Sequence, residues 1–305
     1  MSLFRRLAIP VLPSIVFLSA CTPSDDAPAV QEVAQAVVVE SVSSPGGEGW
    51  YSESPSGNVI VFGRHDENWS NHVILGMEET AEGWSEAATM AFSGTWNDRG
   101  ARYYPALNVM LFSSNRPLPG ETEAGDFNLW VVAFDGEEWM APEPFMVANS
   151  DANDFHGSVS GSGTIYFASN RDGGQGGSDI YRARLGSMGY EVEAVVGPVN
   201  SMYSEADVWV DPGERYLIFS RTDDPEGFGG DDLWISFADG DTWQAPVNLG
   251  EGVNSSDYEY GAWVTRDGGT LFFSTHRSGQ ADIARIALAD LPVDGPEGWT
   301  TGSID

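Results

Sequence analysis

Short apolar or alternating runs, separated by clusters of Gly, Asp, Asn and Pro, follow one another from about residue 48 to residue 301. The stretch 156–196 illustrates the pattern with four runs, HGSVS, TIYFAS, DIYRARL and YEVEAVV. Runs of this length that are rich in Val, Ile, Tyr and Phe and bounded by turn residues are typical of β-strands. Because no apolar period of 3.6 residues is found in this region, the pattern predicts an all-β chain.

The same pattern occurs about five times along the chain. Its clearest copies are residues 110–134, 167–185 and 217–237, with a shorter copy at 271–288 and a degenerate one at 59–77. Self-similarity at a fixed period indicates a repeat architecture, and four strands in a unit of about fifty residues are typical of a propeller blade. The sequence therefore predicts a β-propeller of four-stranded antiparallel blades, with five blades favoured and six possible.

The later units carry a strand end of the Phe-Ser-x-Arg type, a Gly-rich turn and then Asp-Ile-Tyr or Asp-Leu-Trp, as at Asp179 and Asp232, whereas the first unit has His72-Val73 where Asp-Ile is expected. This pattern resembles the TolB-type β-propeller repeat over roughly residues 48–301. The resemblance implies a periplasmic or lipoprotein location and partners in the bacterial cell envelope. Propellers of this type usually have six blades, but residues 22–47 are too few to form another one.

The N-terminus resembles that of a bacterial lipoprotein. Arg5 and Arg6 precede the apolar stretch 7–17, and Leu-Ser-Ala-Cys ends at Cys21, the only cysteine of the chain. The apolar stretch is too short for a membrane span, which favours a signal peptide. We therefore expect a signal peptide at residues 1–20, a lipidated Cys21 with a tether to residue 47, and a propeller at 48–305. The expected location is the outer membrane, facing the periplasm, with the lipid as the only membrane contact; the alternative is an incidental cysteine.

The chain is strongly acidic. It has 46 acidic residues against 14 basic ones, all of them arginine, and a formal net charge of −32. Such a charge keeps a protein soluble and repels polyanions, so a nucleic-acid partner is not expected. The charge is explained either by a salt-adapted surface or by a face that binds cations or basic partners.

The candidate ligand site consists of polar residues that begin each repeat, here called strand-start residues, and of aromatic residues outside the repeat register. The strand-start residues, spaced 54, 52, 51 and 54 apart, predict an acidic ring that faces one arginine. Such a ring suits a calcium ion, a peptide amine or an arginine. Alternatively, each carboxylate pairs with the arginine of a strand-end motif and so fixes one blade to another: Arg64, Arg116, Arg171, Arg221 or Arg277. The candidate residues are Glu48, Arg102, Asp154, Glu205, Glu259, Tyr104, Tyr260 and Trp263.

Residues that would identify an enzyme are scarce. The chain lacks a Gly-x-Ser-x-Gly elbow and a phosphate-binding loop, and its four histidines do not follow a metal-ligand spacing. His65 and His276 occupy similar strand ends in the first and fifth units, which become neighbours if the ring closes. No catalytic residue is assigned, no cofactor other than calcium is considered, and the metal question stays open. We expect a monomeric, non-enzymatic scaffold for envelope proteins, peptides or glycans; the alternative is a glycoside hydrolase or other carbohydrate-active enzyme that uses carboxylates of the propeller channel.

Overall fold

The computed structural model describes residues 34–54, 56–66, 68–104, 108–135, 137–296 and 299. The predicted signal peptide, lipidated Cys21 and most of the tether lie outside the described residues. The described chain is all-β, with a single 3₁₀ turn at Leu288–Asp290. None of the described helices is long and apolar enough to cross a membrane.

Twenty-two strands form five antiparallel sheets, each with a long inner hairpin and short outer strands. Each sheet is one blade, which confirms the predicted five-bladed β-propeller. In chain order the strands are β1 (Val37–Val38), β2 (Gly47–Glu53), β3 (Val59–His65), β4 (His72–Thr80), β5 (Gly83–Trp84), β6 (Ala88–Thr89), β7 (Asp98–Tyr104), β8 (Val109–Ser114), β9 (Asn128–Ala133), β10 (Glu143–Pro144), β11 (Asp154–Val159), β12 (Ile165–Ser169), β13 (Asp179–Gly186), β14 (Gly189–Ala194), β15 (Ser204–Val210), β16 (Tyr216–Thr222), β17 (Asp231–Asp239), β18 (Thr242–Trp243), β19 (Val247–Asn248), β20 (Glu259–Val264), β21 (Thr270–Thr275) and β22 (Asp282–Ala287).

The ring is closed by a strand from the beginning of the described chain. Val37 pairs with Arg285 and Val38 with Ala284, so that β1 becomes the fourth strand of the fifth blade. The sequence analysis placed these two valines in the tether. Since β1 and β22 come from opposite ends of the described chain, their pairing ties the first blade to the last.

The core lies between neighbouring blades. In one cluster Ile218 and Ile235 of the fourth blade pack with Leu271 and Phe273 of the fifth, and all four side chains are buried. Burying a side chain of this size contributes about 1.5–3 kcal/mol relative to leaving it exposed. The alternation of apolar residues on both faces of the middle strands therefore stacks the sheets side by side around an axis.

All five inner strands carry a β-bulge at the same place. The pairing register shifts between Gly49 and Ser52 in the first blade and at the equivalent place in the other four. A bulge of this kind bends the strand and turns a side chain in a new direction. At each bulge one residue has a positive φ; these five residues, here called the bulge positions, are Trp50 (57°), Gly100 (63°), His156 (53°), Asp207 (50°) and Gly261 (66°).

Candidate functional site

The strand-start carboxylates form buried ion pairs within their blades. Glu48 accepts a hydrogen bond from Arg64 at 2.7 Å, and Asp154 accepts one from Arg171 at 2.6 Å. Glu205 accepts one from Arg221 at 2.9 Å in the fourth blade. The arginine partners are those of the architectural alternative, but each pair joins two strands of one blade and not two blades. The three carboxylates are fully buried, so they hold two strands of a blade together.

The position assigned to Arg102 is wrong. Arg102 pairs in register with Leu111, whereas Asp98 pairs with Ser114 and forms the ion pair with Arg116 at 2.6 Å. The strand-start residue of the second blade is therefore Asp98, which lies 12 residues before Met110 just as Glu48 lies 12 residues before Ile60. With Asp98 in place, all five strand-start residues are acidic, and Arg102 lies beyond the bulge.

The fifth blade differs from the other four. Glu259 accepts hydrogen bonds from Thr275 at 2.6 Å and from the Ser255 hydroxyl at 2.7 Å. Arg277 instead donates to the backbone carbonyls of Val253 and Asn254. The predicted pairing with the strand-end arginine is thus replaced here by hydroxyl groups, and burial raises the pKa of Glu259.

Three bulge-position side chains meet on the propeller axis. The Trp50 indole N–H donates to Asp207 Oδ1 at 2.5 Å. His156 Nδ1 lies 3.0 Å from the same oxygen, and the rings of Trp50 and His156 are 5.4 Å apart. These residues come from the first, third and fourth blades. Together with Arg99 and Tyr260, they form what is here called the axial site.

Local structure explains why these side chains reach the axis. The positive φ at Trp50 and His156 turns each side chain inward, and at both positions the backbone N–H donates a hydrogen bond to a serine of the preceding blade. The N–H of Trp50 bonds to Ser274 at 3.1 Å and that of His156 to Ser113 at 2.9 Å. The two remaining bulge positions are glycines, which adopt a positive φ at no steric cost and leave room for the larger rings.

The electrostatics of the axial site are dominated by burial. Burial raises the pKa of Asp207 to about 6, although the hydrogen bond from Trp50 and the charges of Arg102 and Arg99 oppose the rise. Burial, together with the same two arginines, holds the pKa of His156 well below its usual range. Near neutral pH His156 is therefore uncharged, and the Asp207 carboxyl exchanges its proton close to neutrality.

Several polar groups around the axis have no hydrogen-bond partner among the described residues. They include His156 Nε2, the Tyr260 hydroxyl and the second terminal nitrogen of Arg102, all in buried side chains. Buried polar groups are nearly always paired with protein, water or ligand, because an unpaired one costs about 1–3 kcal/mol. Their convergence on one place distinguishes the axial site from the apolar clusters of the described core.

The remaining candidate residues are dispersed. Arg102 crosses the axis to donate to the Val208 carbonyl at 2.8 Å, and the Tyr104 hydroxyl donates to the Gly157 carbonyl at 3.1 Å. Trp263 is partly buried and packs against two of the hydrophobic clusters. Of the predicted ligand contacts, Tyr260 lies in the axial site, 5.2 Å from the Trp50 ring.

Trp69 covers the axial site from the face where the strand-start residues lie. Its ring stacks between His65, at 3.9 Å, and His276, at 5.3 Å. It lies 5.9 Å from both Tyr260 and His72, and 41% of its surface is exposed. The predicted proximity of His65 and His276 is thereby observed. Among the described residues, no group of three or more His, Cys, Asp or Glu is arranged to hold a metal ion.

Sequence reasoning missed Trp50 and Asp207 as functional residues. Both lie two positions after a strand-start residue, as do Gly100, His156 and Gly261. A comparison of the five copies at this position would have shown that three of them carry ring or carboxyl side chains and two carry glycine.

A separate cleft of about 590 Å³ between the first two blades is lined mainly by apolar side chains such as Met90 and Trp139.

The propeller fold is shared with solved structures of glycoside hydrolases. One glycoside hydrolase aligns with a TM-score of 0.55 at 9% identity, over 87% of this chain and 93% of that one. A thermostable family-43 glycoside hydrolase aligns with a TM-score of 0.54 at 11% identity, over 82% and 92%. No protein-family model and no curated protein matches the chain. At these identities the likeness establishes a common fold.

The expectation of a non-enzymatic scaffold is wrong. Solved structures that share this fold over most of both chains include glycoside hydrolases, the enzyme class of the alternative. The expectation failed because it explained the conspicuous, repeated carboxylates as structural and so left no carboxyl as a candidate for catalysis. Asp207, the carboxyl on the axis, does not stand out in sequence among 46 acidic residues.

Proposed function

We propose that the chain is a carbohydrate-active hydrolase that cleaves a glycosidic bond at the axial site. The observation that carries the proposal is the Asp207 carboxyl, which is buried on the axis and has a pKa raised by burial to about 6. A general acid works best when its pKa lies near the working pH. Buried carboxyls with raised pKa values are the groups that donate protons to leaving oxygens in glycosidases.

A second carboxyl, Asp231, supports the same chemistry. Asp231 begins β17, forms a parallel bridge to the exposed Tyr258 and accepts a hydrogen bond from Thr222 at 2.6 Å. Its charge raises the pKa of Asp207, and burial raises its own pKa. Glycoside hydrolysis usually needs two carboxyls with different roles, and a difference in burial separates these roles.

The roles follow from these environments. Protonated Asp207 donates its proton to the glycosidic oxygen while the bond between the anomeric carbon and that oxygen breaks. The Trp50 N–H stabilises the carboxylate that remains, and neutral His156 orients it from 3.0 Å. Asp231 takes a proton from the water that attacks the anomeric carbon. The proton released by the water returns to Asp207 through solvent at the end of each cycle.

Trp69 lies at the entrance to this chemistry. Because its ring covers Tyr260 and the neighbouring histidines, a sugar reaches Asp207 only where Trp69 moves aside or forms one face of the binding site. Large, partly exposed aromatic rings are suited to contacts with the apolar face of a sugar. We therefore place the bound sugar between Trp69 and Asp207.

The test is hydrolysis by the purified chain of a panel of polysaccharides and aryl glycosides, measured as released sugar. Removal of a general acid typically costs about 10²–10⁴-fold in rate, so Asp207→Asn should lower kcat by that factor. The wild-type rate should fall as the pH rises above about 6, because Asp207 then loses the proton that it must donate.

The matched control is Asp241→Asn, since the Asp241 side chain is 96% exposed and lies far from this chemistry in a blade-edge turn. Its rate and pH profile should equal those of the wild type. Full activity of folded Asp207→Asn, or a wild type without activity on the whole panel, would reject the proposal.

We further infer that the enzyme is a lipid-anchored protein of the bacterial envelope, exposed to the glycans of that compartment. The support is the basic pair Arg5 and Arg6, the apolar stretch, the cysteine at position 21 and the TolB-type repeat pattern. Incorporation of labelled fatty acid into the wild type and its loss in Cys21→Ser would support the anchor. Equal labelling of both proteins would contradict it.

A further inference from the structure

Arg99 differs from the other arginines of the blades. Arg64, Arg116, Arg171 and Arg221 each donate to a strand-start carboxylate. Among the described residues, no carboxylate or other group forms a hydrogen bond with the guanidinium of Arg99; it instead lies over the Phe127 ring at 3.9 Å. In a chain with more than three acidic residues for each basic one, this arginine is available for an external anion.

The charge of Arg99 acts within the axial site. It lowers the pKa of His72 and His156, and burial lowers the pKa of Arg99 itself. Asp207 interacts with it electrostatically, but Oδ1 of Asp207 is already contacted by Trp50 and His156. Arg99 is adjacent to the bulge at Gly100, and its guanidinium lies over the Phe127 ring at 3.9 Å and near the Phe155 ring at 5.8 Å.

The neighbouring groups suit a carboxylate that is attached to a sugar. A guanidinium has paired N–H donors that match a carboxylate in a bidentate geometry, and that of Arg99 lies 3.9 Å from the Phe127 ring. Arg102 adds a second buried positive charge, and the Tyr260 hydroxyl and His156 Nε2 have no hydrogen-bond partner in the described part of the chain. These neutral groups suit sugar hydroxyls. The carboxylates on the protein surface repel an anion at the axial site only weakly. Salt at 0.1 M screens the interaction between charges that are more than about 10 Å apart.

We propose that Arg99 binds the carboxylate of an acidic sugar, so that the substrate class of the axial site is uronic-acid-containing glycans. This inference rests on the proposed function for its setting, but recognition is separable from hydrolysis. Arg99 acts in binding, whereas the proton transfer belongs to Asp207.

The experiment measures binding of galacturonate, its methyl ester and galactose by titration calorimetry and by tryptophan fluorescence. The three sugars share a ring, and only galacturonate carries the charge. We expect galacturonate to bind the wild type at least about tenfold more tightly than the other two, the ratio that a charged hydrogen-bonded pair supplies. Equal affinity for all three sugars, or no binding of any of them, overturns the inference.

The variants are Arg99→Gln, Arg99→Lys and the control Arg285→Gln, which changes an exposed arginine of the fifth blade. Arg99→Gln should abolish the preference for galacturonate, and Arg99→Lys should recover part of it, since Lys keeps the charge but not the paired donors. Arg285→Gln should keep the full preference. Thermal melts establish that each variant folds, and Arg99→Lys serves as the test where Arg99→Gln does not fold. A preference that survives in the folded variants overturns the inference.

The two proposals fail separately. Binding of a monosaccharide needs no bond cleavage, so it is measured independently of hydrolysis. A preference for galacturonate that depends on Arg99, found together with full turnover in Asp207→Asn, would support the proposed recognition by Arg99 and reject the proposed catalytic role of Asp207. Conversely, the enzyme could depend on Asp207 but cleave only neutral glycans, with no effect of Arg99→Gln. That result would support the proposed hydrolase and reject the proposed acidic substrate.

Discussion

The strand-start and bulge positions lie two residues apart in every blade, yet they differ in what the repeat preserves. At the strand-start position the chemistry repeats: Glu48, Asp98, Asp154, Glu205 and Glu259 are all buried acids. At the bulge position only the backbone repeats. All five residues have a φ between 50° and 66°, whereas their side chains are Trp, Gly, His, Asp and Gly.

This difference separates architecture from function within one strand. A group that every blade needs is satisfied inside its own blade, as the Asp98–Arg116 pair at 2.6 Å shows. At the bulge the common φ directs whatever side chain is present toward the axis, and variation there produces one asymmetric site. The axial site contains a carboxyl with a raised pKa and several buried groups that have no hydrogen-bond partner among the residues described, which is costly for stability and typical of a functional site.

The same substitution at the two positions should have opposite effects on stability. Asp98→Asn removes the charge opposite Arg116, whose side chain is only 10% exposed. Breaking one side of a buried ion pair costs about 3–5 kcal/mol, so we expect a loss of that size in chemical denaturation. The exposed control Asp241→Asn should change the free energy of unfolding by less than about 0.5 kcal/mol. A loss at Asp98 as small as that of the control would reject the architectural role.

Asp207→Asn should instead become stabilising relative to the wild type as the pH rises. The folded pKa of Asp207, about 6, exceeds its usual 3.8, so the folded state binds more protons than the unfolded state between these values. The contribution of Asp207 to stability is complete below pH 3.8 and is lost as the pH rises through 6. By pH 7 the free energy of unfolding of the variant should therefore have risen, relative to that of the wild type, by up to about 3 kcal/mol.

Unfolding free energies of the variant and wild type at several pH values between 4 and 7 measure this change. Comparing differences across pH removes any constant effect of exchanging a carboxyl for an amide. A constant difference over the whole range would mean that Asp207 titrates normally and is not the proton donor of the axial site.

The glycines at the bulge positions provide the smallest expected effect. A Cβ added at Gly100, where φ is 63°, would lie 2.8 Å from Cδ2 of His156. Gly240 has a φ of 64° and open space around its Cβ position. Gly100→Ala should therefore cost about 1–3 kcal/mol more than Gly240→Ala, because only the first crowds a buried ring. Equal costs in thermal or denaturant unfolding would show that backbone strain alone requires glycine at the axis.

The fold was largely predictable, because about fifty consecutive residues encode all the strands and turns of a blade. The pairings of Glu48 with Arg64 and of Glu205 with Arg221 were also accessible, since both partners lie 16 residues apart in one hairpin. The register of the second blade could not be predicted from the sequence, and Arg102 was taken for its strand-start residue in place of Asp98. The bulge that separates these residues changes which side chain faces the axis without a signal in the hydrophobic pattern.

The sequence by itself determined the number of blades, the alternation that stacks them and the local ion pairs, because these depend on residues that are close along the chain. The tertiary structure decided the site. Trp50 and Asp207 are 157 residues apart and become hydrogen-bond partners only when the ring closes. Closure also buries Asp207 and raises its pKa. Burial and electrostatics depend on everything that surrounds a group, and that information exists only in the folded ring.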